Sequence, residues 1–102
     1  MIRRHGIKLV IIVLNNEVLA MQQDMEVFRY GAHTDTRLGA VDHAAIARAC
    51  GLNGVIVRDS ETLRPALLQA FADDCATLLD VHTDPVARPP QSGYQSLPSQ
   101  LA

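Results

Sequence analysis

The chain has 102 residues, which suits one domain and leaves little room for two. It carries 9 Lys and Arg against 11 Asp and Glu, for a formal net charge of −2, and only 4% of its residues are aromatic. This balance argues against a nucleic-acid binder, because that class needs a basic surface or a platform of stacking aromatic rings. Hydrophobic residues make up 48% of the chain, which is enough to build a folded core.

The expected setting is the cytoplasm, with no contact with a membrane. The apolar run at residues 9–14 follows Arg3 and Arg4, but it has no small-residue cleavage site and falls short of the ~20 residues that cross a bilayer. The two cysteines, Cys50 and Cys75, lie far apart without metal-site spacing. We expect them to be reduced thiols in or near the core rather than a disulfide.

The first strand is predicted at residues 8–14, KLVIIVL. A short, continuous apolar run of this kind is typical of a strand buried on both faces of a parallel sheet. Residues 2–6, IRRHG, are typical of the last turn of a helix, which predicts a chain that starts partway through a domain. Asn15 and Asn16 follow the strand directly, and amide oxygens at a strand end can bind a hard cation such as Mg²⁺.

Two helices and a loop are predicted next. Residues 17–27 place apolar side chains at helical spacing, and residues 31–40 are rich in glycine and turn-forming residues. Residues 42–50 form a second helix, with Asp42 as its N-cap and Gly51 just past its end.

The remaining elements are two strands with a helix between them. Residues 54–57 and 76–81 are short apolar runs that predict strands 2 and 3. The helix between them ends near Ala72 and is expected to begin near Thr62, because Pro65 is tolerated best in a first turn. Alternating strands and helices predict an α/β fold with a parallel sheet. Residues 85–102 are rich in Pro, Ser and Gln and are predicted to form a disordered tail.

Three segments together carry a family resemblance: IKLVIIVLNNEVLAMQQ, DHAAIARACGLNGVIVRDSETLRPALLQAF and ATLLDVHTDP. In this order and spacing they closely resemble the C-terminal portion of the cofactor-binding domain of thiamine-diphosphate-dependent enzymes. The nearest types are pyruvate oxidase and the large subunit of acetolactate synthase. The resemblance covers about residues 4–85, so residues 1–84 are expected to form this part of the domain.

The resemblance implies a partial three-layer α/β sheet with parallel strands in the order 1-3-2 and helices on its faces. In the family, the other edge of strand 1 pairs with a strand that carries a Gly-Asp-Gly motif. That edge is expected to be bare here, which invites pairing with another chain. The expected partner is a second copy in a homo-oligomer, or a chain that carries the rest of the enzyme.

The resemblance also implies a binding site for Mg²⁺ and the cofactor. Asn16 would give its side-chain oxygen and Val18 its backbone oxygen to the metal, while Asn15 would shape the turn. Leu19 to Met21 would lie along the diphosphate and thiazolium of the cofactor, with Ala20 where the family commonly has glycine. No residue is assigned a catalytic role. The four histidines share no ligand spacing and are expected at the surface or in loops.

The departures from the family limit the expected activity. The sequence contains no Gly-Asp-Gly motif, and the pyrimidine-binding domain with its activating glutamate is absent. We therefore expect a fragment of a thiamine-diphosphate-dependent 2-keto-acid enzyme that is inactive alone and does not bind thiamine diphosphate and Mg²⁺ without a partner. Whether the chain counts as an enzyme stays open. The alternative is a non-catalytic interaction module that pairs through the edge of strand 1.

Overall fold

The computed structural model describes residues 1–88, which divide into two compact units. The sheet unit comprises residues 1–15 and 42–83, and the helical unit comprises residues 16–41 and the segment from Asp84 onward. In chain order the elements are β1 (Val10–Asn15), α1 (Ala20–Tyr30), α2 (His43–Ala49), β2 (Asn53–Val57), α3 (Ser60–Ala72) and β3 (Thr77–His82).

The three strands form one parallel sheet in the order β1-β3-β2. Thr77, at the start of the central strand, is level with Val10 on one side and Asn53 on the other. All three strands therefore run in the same direction from a common edge. The predicted α/β class and the strand order 1-3-2 are confirmed.

Helix α3 covers one face of the sheet and forms the main apolar core with it. Leu79 of β3 is fully buried, and Ala70 of α3 lies in the same cluster. The other members of this core come from the three strands and from α3: Val10, Val57, Leu63, Ala66, Leu67 and Val81. Burying a side chain such as Leu79 stabilises the fold by roughly 1.5–3 kcal/mol.

Helix α2 covers the opposite face through small side chains. Ala44 and Ala47 of α2 are buried, and Gly54 of β2 meets the helix backbone. A Cβ atom added to Gly54 would lie only 2.1 Å from the Ala44 carbonyl oxygen. The absence of a side chain at this strand position is therefore what lets the helix approach the sheet so closely.

The prediction that strand 1 is buried on both faces is wrong. β1 is an edge strand, and Ile12 and Leu14 are 48% and 72% exposed. Their neighbours Val10, Ile11 and Val13 are only partly exposed. An apolar run gives no information about the neighbours of a strand, so it cannot separate an edge position from a central one.

The helix boundaries differ from prediction at two starts. α1 begins at Ala20 rather than residue 17, because Glu17 has a left-handed backbone (φ 60°) and Val18 pairs with Arg37 in an isolated antiparallel bridge. α3 begins at Ser60, where Asp59 accepts a hydrogen bond from the Thr62 backbone. This cap starts the helix early and leaves Pro65 inside it.

α1 ends at Tyr30 rather than near residue 27, whereas both ends of α2 and the end of α3 agree with the sequence. Asp42 caps α2 by accepting a hydrogen bond of 2.8 Å from the Ala45 backbone. Gly51 follows α2 with a left-handed backbone (φ 82°). At the start of the chain, the Gly6 and Ile7 N–H groups donate back to the Arg3 and Ile2 carbonyl oxygens, which is the hydrogen-bond pattern of a helix C-terminus.

Both cysteines lie on the surface. Cys50 and Cys75 are free thiols, as expected, but both are exposed rather than in the core. Each lies at the end of a helix or in the turn before a strand, where the chain leaves the packed layers. Within residues 1–88, no helix is long and apolar enough to cross a membrane.

The helical unit contains a buried ion pair that the sequence did not predict. Asp24 of α1 is only 1% exposed, and both of its carboxylate oxygens accept from the guanidinium of Arg88. The Nη2 contact measures 2.7 Å. Residues 85–88 of the predicted tail are thus bound to α1, while the predicted disorder of residues 89–102 lies outside the described residues.

Replacing Gly54 with alanine should destabilise the sheet unit. The new methyl group would clash with the Ala44 carbonyl oxygen, and overpacking of this kind costs about 1–3 kcal/mol or more. Urea unfolding followed by circular dichroism would measure the loss. Gly39→Ala is the control, since no atom lies within 4 Å of the new Cβ and only its left-handed backbone is strained. Equal losses in the two variants would contradict the close approach of α2.

Replacing Arg88 with alanine should destabilise the helical unit. It would leave the Asp24 carboxylate buried without its ion pair, at a cost of about 3 kcal/mol. The double variant Asp24→Leu/Arg88→Met should recover most of this loss, because no charge then remains in the interior. Thermal unfolding would compare the two, with the exposed Arg58→Ala as control. A loss for Arg88→Ala no larger than for Arg58→Ala would refute the pairing.

Candidate functional site

A tight turn at residues 16–18 holds the two predicted metal ligands. The Asn16 side-chain oxygen accepts a hydrogen bond of 3.2 Å from the Val18 backbone, which closes the turn around Glu17. The left-handed backbone of Glu17 reverses the chain here. No backbone hydrogen bond within residues 1–88 uses the Val18 carbonyl oxygen. The turn therefore brings one amide oxygen and one carbonyl oxygen into a short stretch of chain.

The N-terminus of α1 follows this turn without a side-chain cap. Leu19 occupies the N-cap position and makes no side-chain hydrogen bond to the helix, and no acidic residue lies in the first turn. Ala20 and Met21 are the first two helical residues, so their N–H groups have no partner in the preceding turn of helix. Unpartnered N–H groups and the positive end of the helix dipole favour an anion at this position.

Two backbone hydrogen bonds join the predicted loop at residues 31–40 to the turn. The Leu19 N–H donates to the Thr36 carbonyl oxygen, and the Leu38 N–H donates to the Glu17 carbonyl oxygen. Thr36 is itself buried, and its hydroxyl lies 2.9 Å from the Gln23 side-chain oxygen and 3.1 Å from His33 Nδ1. The turn is therefore anchored to both the loop and α1.

Asn15 belongs to a buried polar cluster in the sheet unit. Its side-chain nitrogen donates to Asp80 Oδ1 over 3.0 Å and lies 3.4 Å from His43 Nδ1. Asp80 Oδ2 accepts from the His43 backbone at 3.0 Å and lies 3.2 Å from its Nδ1. The structure thus directs the Asn15 side chain toward β3 and α2, whereas Asn16 through Met21 lie in the helical unit.

The hydrogen bonds to Asp80 decide its ionisation. Burial raises the pKa of this carboxyl, but the hydrogen bonds from Asn15 and from the backbone and ring of His43 outweigh it. The pKa of Asp80 consequently lies below its ordinary value of 3.8. The side chain is an anion at neutral pH even though none of it is exposed.

The sequence-based predictions did not include the buried Asp80 or its contact with His43. The charged residue inside the apolar run TLLDVH could have indicated a buried, hydrogen-bonded carboxylate, because a charged residue is seldom buried without partners. His43 was expected at the surface, and its side chain is instead one-third exposed and packed against Asp80. Its sequence position gives no hint of this, since the contact joins residues 37 apart.

The residues of the turn fit Mg²⁺ and a diphosphate as part of a site. Asn16 and Val18 offer neutral oxygens that suit a hard cation, and the uncapped α1 terminus suits the phosphate. Among residues 1–88, no three His, Cys, Asp or Glu side chains form a metal cluster. These residues would therefore hold Mg²⁺ only with further ligands.

Two grooves in the sheet unit lie away from these residues. The larger, of about 600 Å³, opens beside Arg48, Asn53 and Asp73, and the smaller, of about 310 Å³, opens beside Ile2 and Ile7. Both lie near the amino ends of β2 and β3. Neither contains a predicted site residue.

The depressed pKa of Asp80 predicts acid sensitivity. The folded state holds this proton less tightly than the unfolded state, so the stabilisation is present above pH ~4 and is lost as the pH falls through the folded-state pKa. Asp80→Asn should flatten the dependence of the unfolding free energy on pH between about 5 and 2. It should also cost about 1–3 kcal/mol at neutral pH, because the amide would face another donor.

Urea unfolding at several pH values would measure both effects. The exposed Asp74→Asn is the matched control and should leave the steep acid dependence in place. An acid dependence unchanged by Asp80→Asn would contradict the role of the buried carboxylate.

Comparison with known proteins shows the family to which the sequence of this chain belongs. The family model for the C-terminal TPP-binding domain of thiamine pyrophosphate enzymes matches residues 1–81. A Bacillus subtilis protein named as thiamine pyrophosphate-containing, YdaP, is 32% identical over 78 residues, which are 76% of this chain and 14% of the relative.

Two further relatives are named as large subunits of acetolactate synthase. IlvB2 of Mycobacterium tuberculosis is 33% identical over 87% of this chain and 16% of its own length. The protein of Parasynechococcus marenigrum is 34% identical over 76% of this chain and 13% of its own. The chain thus spans less than a fifth of each curated relative. It belongs to the family of C-terminal TPP-binding domains of thiamine pyrophosphate enzymes.

Proposed function

We propose that this chain supplies one part of a thiamine-diphosphate site and needs a partner to complete it. The main support for the proposal is the turn at residues 16–18, which leads into the uncapped N-terminus of α1. The turn offers the Asn16 side-chain oxygen and the Val18 carbonyl oxygen to Mg²⁺. The following N–H groups offer hydrogen bonds to the cofactor diphosphate.

Each residue near the turn has a distinct part in this proposal. Ala20 and Met21 approach the diphosphate through their backbone, and Leu19 and Met21 present exposed apolar side chains to the thiazolium. Asn15 acts indirectly, because its bond to Asp80 fixes the end of β1 from which the turn departs.

The proposed reaction class is that of the 2-keto-acid enzymes, of the acetolactate synthase, pyruvate oxidase or decarboxylase type. Bound thiamine diphosphate supplies the carbanion chemistry that releases CO₂ from a 2-keto acid. This chain would orient the diphosphate end and would be inactive by itself. A carboxylate ligand and the group that activates the cofactor would come from a partner chain or from other parts of a longer protein, in the cytoplasm.

The alternative is a non-catalytic interaction module. The exposed side chains of Ile12 and Leu14 on the edge strand β1 favour it, because an open apolar edge is a surface for pairing. A module of this kind would bind its partner equally well with and without thiamine diphosphate. An enzyme subunit would gain cofactor affinity when its partner is present.

Calorimetric titration of thiamine diphosphate with Mg²⁺ tests the first proposal. The chain alone should give no saturable heat, since its two candidate metal ligands are neutral and Mg²⁺ favours anionic oxygens. With an added domain that carries Gly-Asp-Gly, saturable binding should appear. Asn16→Ala should weaken that binding at least ~tenfold, which corresponds to about 1.4 kcal/mol.

Asn53→Ala is the matched control, because this amide lies at the opposite end of the sheet. It should leave the affinity for the cofactor unchanged. Failure of Asn16→Ala to differ from Asn53→Ala would rule out the proposed ligand. Saturable binding by the chain alone would instead mean that an acidic side chain of this chain completes the metal site.

A further inference from the structure

We propose that the larger groove of the sheet unit binds a small organic cation, which is an ammonium group carried on an apolar body. The groove has a volume of about 600 Å³, within the range of pockets that bind small molecules. Its lining comes from residues 48–77, all of which lie in one compact unit and inside the family match. The inference is independent of the proposed cofactor site.

The buried Thr77 hydroxyl is the first evidence for an occupant. Thr77 is only 2% exposed, and within residues 1–88 its Oγ1 atom has no hydrogen-bond partner. Thr77 lines the groove, and it lies on the same face of β3 as Leu79 and Val81, which pack against α3. A buried hydroxyl without a partner is unfavourable, so a hydrogen-bonding group brought in through the groove would stabilise it.

Asp73 brings a negative charge close to this hydroxyl. Asn53 is level with Thr77 in the sheet, and its side-chain amide donates to Asp73 Oδ2 over 3.4 Å. The Gln69 amide donates to Asp73 Oδ1 over 2.7 Å. These two hydrogen bonds fix the carboxylate at the groove, and Asp74, the next residue, also lines it.

The basic residues nearest to the groove do not pair with these carboxylates. Within residues 1–88, neither Asp73 nor Asp74 forms an ion pair, and the donors to Asp73 are neutral amides. The Arg48 guanidinium lines the groove but donates to the Gly54 carbonyl oxygen over 2.8 Å. The Lys8 ammonium donates to backbone carbonyl oxygens near the end of α3. The groove therefore carries two carboxylates that a cationic ligand could neutralise.

The position of the two acids at the end of α3 adds to the preference for a cation. Asp73 is the C-cap residue of α3, and the last turn of this helix contains no basic residue. The negative end of the helix dipole lies here, so a carboxylate is unfavourable and a positive charge is favourable. An ammonium ligand would offset the charge of both carboxylates and would also donate to the Thr77 hydroxyl oxygen.

The remaining lining favours an apolar body on the cation. Ala66 and Ala70 lie one turn apart on α3 and line the groove together with Val55 of β2, which is 39% exposed. Small side chains on the helix leave room for a ligand, and burial of apolar ligand surface against them contributes to binding. The groove therefore suits an alkylammonium or arylalkylammonium ion better than an inorganic cation.

Titration of the isotope-labelled 102-residue chain, followed by NMR, tests the selection for charge. The probes are phenethylammonium, the neutral phenethyl alcohol and the anion hydrocinnamate, which have similar shapes. Phenethylammonium should bind with a Kd on the order of 1 mM or tighter, with the largest shifts at Val55 and Thr77. The alcohol and the anion should bind at least ~tenfold more weakly, because neither can offset the charge of Asp73 and Asp74.

Substitutions test the two kinds of contact. Thr77→Val keeps the side-chain shape but removes the hydroxyl, so it should weaken phenethylammonium binding ~tenfold, whereas Thr77→Ser should retain the affinity. Thr77→Val should not lower the unfolding temperature, because the lost hydroxyl has no described partner. Asp73→Asn should also weaken binding at least ~tenfold. Glu61→Gln is its matched control, since it removes one carboxylate from the opposite end of α3.

Circular dichroism would establish that each variant is folded. Equal affinities for the ammonium and the alcohol, or no saturation up to ~10 mM, would overturn the cation site. Equal effects of Asp73→Asn and Glu61→Gln would overturn the role of the carboxylate. An affinity unchanged by Thr77→Val would mean that water alone meets the hydroxyl, and would overturn its contact with the ligand.

Discussion

The Asp80 carboxylate lies within the central strand with no exposed surface, and a buried charge is tolerated only when its oxygens are hydrogen-bonded. One oxygen binds the Asn15 side chain at the end of β1, and the other binds the backbone at the start of α2. A single side chain thus joins the central strand to its neighbour and to a covering helix. The hydrogen bond between Asn15 and Asp80 therefore fixes the end of β1, from which the chain continues into the turn at residues 16–18.

Hydrogen bonding also determines how the turn and α1 are built. Asn16 accepts from the Val18 N–H, and Glu17 between them has a left-handed backbone, which costs energy for a residue other than glycine. The loop at residues 31–40 compensates through backbone bonds to Glu17 and Leu19. Because these hydrogen bonds fix the turn, the Asn16 side-chain oxygen and the Val18 carbonyl oxygen are held in fixed positions. Within residues 1–88, no side chain caps the first N–H groups of α1.

Apolar runs and capping residues made most of the fold predictable. The apolar runs at residues 54–57 and 76–81 predicted two strands, and Asp42 and Gly51 predicted the ends of α2. Both predictions depend only on residues that are close together in the sequence. The start of α1 was not predictable, since it depends on a bridge between Val18 and Arg37. The apolar run alone did not predict the exposure of Ile12 and Leu14; only the family resemblance did, because it implied the order 1-3-2 with strand 1 at an edge. The pairing of Asp80 with His43, and of Asp24 with Arg88, joins residues that only the folded chain brings together.

The distribution of charge limits what the proposed site could bind by itself. The oxygens available at the residue 16–18 turn are neutral, so a divalent cation there would lack the anionic ligands that offset its loss of water. The buried carboxylates cannot help, because Asp80 and Asp24 are already held by Asn15, His43 and Arg88. The proposed site would therefore need an anionic ligand in addition to Asn16 and Val18.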